Sequence, residues 1–384
     1  MMAALARLLA SPRLLAAVWG ATLVLIAGGL AVLHLTAPRE TPADREAPPA
    51  RLALPAEAVP PAHEPRGAAD EPAAQRKRAE PAGDLATAPQ STGEPQEPAA
   101  PGAAGGPREE PVARVVVAES PDPDLLASSP YGPLPTRSAD GRTPFQAYQR
   151  PFVGDPKLPR IAILVTHLGL AAARTEEAIG MLPPEVSLAF SPYGRNLEDW
   201  GRRARQAGHE VLLMLPMEPL GYPDDDPGPL GLMTTLTPAE NVDRLHRVLA
   251  KMTGHVGIVS EMGSRFTASP AALAPVISDL AGRGLMVVDA RSTARSLLGD
   301  EALKAGLPVA VNDRTIDNIA DPREIDRYLR ELETLALRRG YALGLARPYP
   351  ISIARIRAWA GDLAARGFVL APVSAIARTG EEGP

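Results

Sequence analysis

The residues with chemical potential stand at the ends of short apolar runs in the second half of this 384-residue chain. Thr166 and His167 follow Ile161–Val165, and Met217-Glu218 follow Val211–Leu215. Ser260-Glu261 follow Val256–Val259, Asp289 closes Leu285–Asp289, and Asn312-Asp313 end the run that starts at Val309. Ala346-Arg347 follow Ala342–Leu345. Carboxylates and imidazoles are the groups that move protons and ligate divalent metals. Arginine stays charged and does neither, but it pairs with carboxylates and steadies developing negative charge.

Those runs are read as strands, together with Val186–Phe190 and Phe368–Leu370. Between them lie stretches of helical period: Arg195–Ala207, Pro238–Met252, Pro270–Gly282, Asp321–Arg339 and Ser352–Arg366. Thr237-Pro238 is a helix-start signal and Gly340 a stop. Strands without polar alternation, each followed by a helix, indicate a parallel sheet covered on both faces or closed on itself. The fold class is α/β, and the number of βα units favours an irregular (β/α) barrel of about seven strands. In such folds ligands meet the C-terminal ends of the strands, where the polar residues above gather.

The first 121 residues read differently. Leu14–Leu33 is a continuous uncharged apolar run, about 30 Å long as a helix, preceded by Arg7 and Arg13. The expectation is an uncleaved single-pass anchor within residues 1–37, its N-terminus cytoplasmic, in preference to a cleaved signal peptide. Of the 43 prolines, 22 fall between Pro38 and Arg150, and residues 38–120 contain no Phe, Trp or Tyr. Residues 38–121 are therefore read as a disordered Pro/Ala-rich linker that carries a domain, 122–384, away from the inner membrane on its periplasmic side. A net charge of −5 argues against nucleic acid as a partner. The absence of cysteine excludes disulfides and thiol nucleophiles. Neither a G-x-S-x-G elbow nor a P-loop is present, and Gly282-x-Gly284 precedes a strand instead of opening a helix.

Four stretches carry a resemblance. GHEVLLMLPMEPLGYPDDDPGPLGL (Gly208–Leu232), MGSRFTA (Met262–Ala268), LMVVDARST (Leu285–Thr293) and RPYPISI (Arg347–Ile353) are collinear with, and similar to, the divergent polysaccharide deacetylase family. The resemblance runs from Tyr131 to Ile376. It implies a barrel of the glycoside-hydrolase/deacetylase type, acting on acetylated polysaccharide through a divalent metal, often zinc, held by one Asp and two His. It also implies a cell-envelope polysaccharide such as peptidoglycan as partner, in carbohydrate metabolism. Where relatives end the first strand in Asp-Asp-Leu-Gly, this chain has Thr166-His167-Leu168-Gly169. Val259-Ser260-Glu261 replaces the usual Asn-Asn, and Ala346-Arg347-Pro348 replaces Gly-His-Pro.

These departures split the functional expectation. One branch is a working deacetylase with a rearranged metal site of His167, Glu261 and Asp289, Glu218 as base and Arg347 on the oxyanion. The other is a pseudoenzyme without a metal, binding envelope glycan or a protein partner through the same cleft. The loss of Asp-Asp and of the late His favours the second. Tyr193, Tyr222, Ser264, Arg265 and Tyr349 are the candidate substrate-binding residues, although rings at strand–helix junctions more often cap a core. The remaining polar residues have plainer readings. His209 is a turn residue satisfying backbone groups, and His246 and His255 flank a helix end. Asp224–Asp226 form a solvated loop, and Arg202, Arg203 and Arg205 an exposed basic face.

Overall fold

The computed structural model describes residues 121–380. The expected span Leu14–Leu33 and the linker 38–120 lie outside them, and no described helix is long and apolar enough to cross a membrane. The strands of the main sheet, in chain order, are β1 (Arg160–Leu168), β2 (Ser187–Phe190), β3 (Val211–Met217), β4 (Gly257–Met262), β5 (Met286–Asp289), β6 (Val309–Val311), β7 (Arg314–Thr315), β8 (Tyr341–Ala346) and β9 (Val369–Leu370). The principal helices are α1 (Ala172–Met181), α2 (Leu197–Gln206), α3 (Pro238–Leu249), α4 (Pro270–Arg283), α5 (Leu298–Lys304), α6 (Pro322–Arg339) and α7 (Pro350–Gly361).

All nine strands pair in parallel, in the order β6-β5-β4-β3-β2-β1-β8-β7, with β9 alongside the start of β1. The two edges of this path, β6 and β7, are joined by the dipeptide Asn312-Asp313 alone. Asn312 donates its backbone N–H to Asp289 O at 2.9 Å on one side, and Asp313 donates to Leu343 O at 3.0 Å on the other. The sheet therefore curls until one heptapeptide serves both edges. Of the nine strands only β7 answers to none of the apolar runs, because at two residues it is too short for any periodicity to announce it.

Alternation along β1 separates two cores. Ile161, Ile163 and Val165 face outward into the layer shared with the helices, where they meet Leu273, Leu329 and Ile353 among others. Ala162 and Leu164 face inward, with Leu212, Met214, Val259, Val288 and Leu343. Both faces are apolar, which is why the strands read as continuous hydrophobic runs. The inner core also takes in Leu125 and Tyr148 from the arm that precedes β1, and Val373 and Ile376 from the chain's end. Tyr148 of the arm thus packs on the domain.

Helix ends follow their local signals. Thr237 and Glu240 form a reciprocal capping box ahead of Pro238 in α3. Asp321 accepts from the N–H groups of Arg323 and Glu324 at the start of α6, and Gly340, at φ 84°, ends it. α1 and α5 had no sequence-based expectation, being short and without a side-chain cap. One expectation is corrected: Arg202 and Arg203 are surface residues, but Arg205 is buried, its guanidinium donating to Thr253 O at 3.0 Å and Gly254 O at 3.1 Å. Its long stem faces the core side of α2, three residues past Arg202, where a charge could be kept only by meeting backbone carbonyls. His209 matches its plain reading, its ring bridging Val186 O and Ile179 O at 2.8 and 3.1 Å.

Candidate functional site

The C-terminal ends of β1, β4, β5 and β8, with the β6–β7 dipeptide between the last two, surround an open cleft of about 850 Å³. Thr166, His167, Ser260, Glu261, Arg291, Asn312 and Arg347 are among its lining residues. Four non-glycine residues of the described chain have positive φ, and His167 (61°), Met262 (54°) and Arg291 (58°) all belong to this cleft. Such backbone costs of order 1 kcal/mol or more each and gathers where side chains must be aimed. At His167 it coincides with a register shift between Val165 and Leu168 in the pairing of β1 with β2.

His167 is held at both ring nitrogens. Thr166 Oγ1 lies 2.8 Å from Nδ1 and 3.0 Å from Ala346 O. The single hydroxyl proton goes to the carbonyl, so the hydroxyl accepts from Nδ1–H. Nε2 sits 2.8 Å from Glu261 Oε1, and the pair faces the cleft at 31% and 19% side-chain exposure. Met214 Sδ, at 3.0 Å, accepts from the His167 backbone N–H beneath it.

Asp289 and Glu218 are placed elsewhere. Asp289 is buried, and its carboxylate accepts from Arg291 N at 2.8 Å, Ser296 Oγ at 2.8 Å and Gly299 N at 3.3 Å. It fixes the β5–α5 loop rather than lining the cleft. Glu218 is likewise buried, accepting from Thr234 N and Thr234 Oγ1, both at 2.6 Å, with Arg265 Nε 3.5 Å away. Of the three expected ligands, then, His167 and Glu261 come together and Asp289 does not. No group of three His, Asp or Glu side chains could hold a metal ion among the described residues. With both His167 nitrogens and both Asp289 oxygens engaged by protein groups, these residues do not fit a His-plus-two-carboxylate metal site.

The expected saccharide contacts mainly secure one loop, residues 218–236. Tyr193 Oη donates to Pro227 O at 2.7 Å and accepts from Leu230 N at 3.1 Å, and burial pushes its pKa up. Ser264 Oγ accepts from Leu220 N at 2.9 Å, and Arg265 donates to Leu220 O at 3.2 Å. Tyr222 is exposed on the same loop. Tyr349 supports the cleft directly, its Oη accepting from Arg347 Nη1 at 3.3 Å.

Sequence reasoning missed Asp317, Arg291 and Ser292. Asp317 is buried, and Oδ2 accepts from Arg347 N and Ser352 Oγ, both at 2.7 Å, which fixes the backbone that presents Arg347. Burial raises its pKa. Arg291 and Ser292 come two and three residues after Asp289, and their place just past a strand end was the signal available.

Comparison with known proteins agrees with this geometry. The model of the divergent polysaccharide deacetylase family matches residues 163–377. A solved structure of an uncharacterized protein from Agrobacterium tumefaciens C58 is 41% identical and covers 64% of this chain and 99% of its own, with a TM-score of 0.62. A Haemophilus influenzae protein is 24% identical over 52% of this chain and 70% of its own. Protein YibQ of Escherichia coli is 24% identical over 50% of this chain, which spans 60% of YibQ.

Proposed function

Because the chain belongs to the divergent polysaccharide deacetylase family, we propose that it is a saccharide-binding member whose cleft holds envelope glycan without metal-assisted hydrolysis. The observation that carries this reading is the His167–Glu261 contact at 2.8 Å, with Asp289 turned into its own loop. The groups that would ligate a metal instead satisfy one another and their loops. What stays open to a ligand is an imidazole–carboxylate pair, two arginines and a rim of hydroxyl and amide groups. This inventory suits a polyhydroxylated ligand, which offers donors and acceptors in alternation. The apolar span Leu14–Leu33 and the Pro-rich segment after it support export and anchoring, so that the cleft meets envelope polysaccharide outside the inner membrane.

The test is to titrate the full chain with N- and O-acetylated oligosaccharides while measuring released acetate by mass spectrometry. Binding without release is the expected result. Acetate release by the wild type that disappears in a His167→Ala variant would overturn the reading in favour of a working deacetylase. An absence of binding to every saccharide would overturn it in the other direction.

A further inference from the structure

The charges of the cleft do not cancel. Asp313 is taken by Arg339, Nη2 to Oδ2 at 2.6 Å, and by the N–H of Leu343 at 2.9 Å. Arg314 is taken by Glu331 at 2.8 Å, and Glu261 by His167. Arg291 and Arg347 remain, both exposed, both lining the cleft, and neither with an ion-pair partner among the described residues. The only polar partner of the Arg347 guanidinium there is the neutral Tyr349 hydroxyl. The backbone of each is fixed by a buried carboxylate, that of Arg291 by Asp289 at 2.8 Å and that of Arg347 by Asp317 at 2.7 Å.

Between them in the sheet lies the β6–β7 dipeptide, flanked by β5 and β8. Its Asn312 is 6% exposed, donates from Nδ2 to Ala290 O at 3.1 Å, and lines the same cleft. That donation fixes which way the amide points. Asn312 Oδ1 is buried and has no hydrogen-bond partner among the described residues. A buried acceptor left unpaired costs about 1–3 kcal/mol, so the position calls for a donor brought by a ligand.

From these three residues we infer that the cleft is built for an acidic saccharide: its carboxylate or phosphate is held by Arg291 and Arg347, and a sugar hydroxyl or amide N–H donates to Asn312 Oδ1. Guanidinium forks match planar or tetrahedral oxyanions, and the orphan amide oxygen adds a demand that a bare anion does not meet. The inference rests on the saccharide reading above and narrows its ligand class.

The experiment is calorimetric titration of the full chain with four probes: an oligogalacturonate, a phosphorylated oligomannose, neutral N-acetylchitotetraose and inorganic phosphate. The wild type should bind at least one acidic saccharide about tenfold or more tightly than the neutral one, and less tightly as salt is raised. Arg291→Gln and Arg347→Gln should each lose about tenfold for that probe and less for the neutral one, so that the preference for the acidic saccharide falls. Which acidic probe binds decides between carboxylate and phosphate. Both side chains are exposed, so unchanged thermal transitions in the variants keep folding out of the comparison. Equal binding of acidic and neutral saccharides would overturn the inference while leaving the saccharide reading intact. So would arginine variants that bind like the wild type, or inorganic phosphate binding as tightly as the acidic sugar. Binding of none of the probes would remove both.

Discussion

At the N-terminal ends of the strands, side chains from outside the sheet close the curl: Leu125 and Tyr148 enter from the arm, Val373 and Ile376 from the chain's end. Most polar groups there are matched inside the protein, although Ser374 Oγ and both ring nitrogens of His255 are buried without a hydrogen-bond partner among the described residues. Glu210 is completely buried and accepts from Ser187 Oγ, Ser374 N and Arg150 N at 3.1, 3.1 and 3.3 Å, joining strand, arm and C-terminal segment. At the C-terminal ends, the chain leaves an open cleft, backbone at positive φ, and, among the described residues, two arginines without carboxylates and an amide oxygen without a donor. One end spends its polar groups on stability and the other keeps them for a ligand. Mutations should therefore separate the two ends by what they damage.

The largest stability loss belongs to the closed end. Glu210→Ala leaves three buried donors unpaired and should lower stability by about 3 kcal/mol or more, read from the urea midpoint at neutral pH. The pH dependence comes from the same end. Burial drives His255 down to about 4 from 6.5, so the folded chain keeps it neutral while the unfolded chain takes up a proton. Its contribution is complete above 6.5 and is lost as pH falls from there to about 4, about 3 kcal/mol in all. Glu210 acts in the opposite sense, since burial raises its pKa. Its share is present below 4.5 and is lost as pH rises through that value towards the folded one. The difference between wild type and a His255→Leu variant in urea titrations across pH 4 to 7 isolates the histidine. If the two curves ran parallel, the assignment to His255 would fail.

Smaller effects follow. Tyr148→Phe removes the hydroxyl that accepts from Asp122 N at 2.8 Å and should cost about 1 kcal/mol in the same assay. Arg347→Gln, at the open end, should change stability by less than about 0.5 kcal/mol while weakening saccharide binding. A cleft variant that unfolded the chain, or a Glu210 variant that spared stability and abolished binding, would dissolve the contrast between the ends.

The strand framework was legible because apolar runs buried on both faces leave an uninterrupted signature, as in Val211–Leu215 and Leu285–Asp289. Caps such as Thr237 and Gly340 were legible because their chemistry is local. The side-chain pairing at the site was not. Asp289 and Glu218 stand at strand ends like Glu261, and only the loops they hold, through Ser296, Gly299 and Thr234, show that their carboxylates are already engaged. Arg205 read as surface because helical spacing does not reveal carbonyls arriving from Thr253 and Gly254, some fifty residues away. Asn312 stood in the sequence as one strand-end polar residue among several. Its lack of a donor emerges only when both edges of the sheet meet at it.

The most direct test of the account is the metal content of the full chain, purified without a polyhistidine tag or chelator and measured before and after zinc dialysis. The account predicts retention far below one equivalent, unaffected by His167→Ala or Asp289→Ala. Near-stoichiometric zinc that falls when His167 or Glu261 is replaced would contradict it, because the pair would then be serving a cation instead of each other.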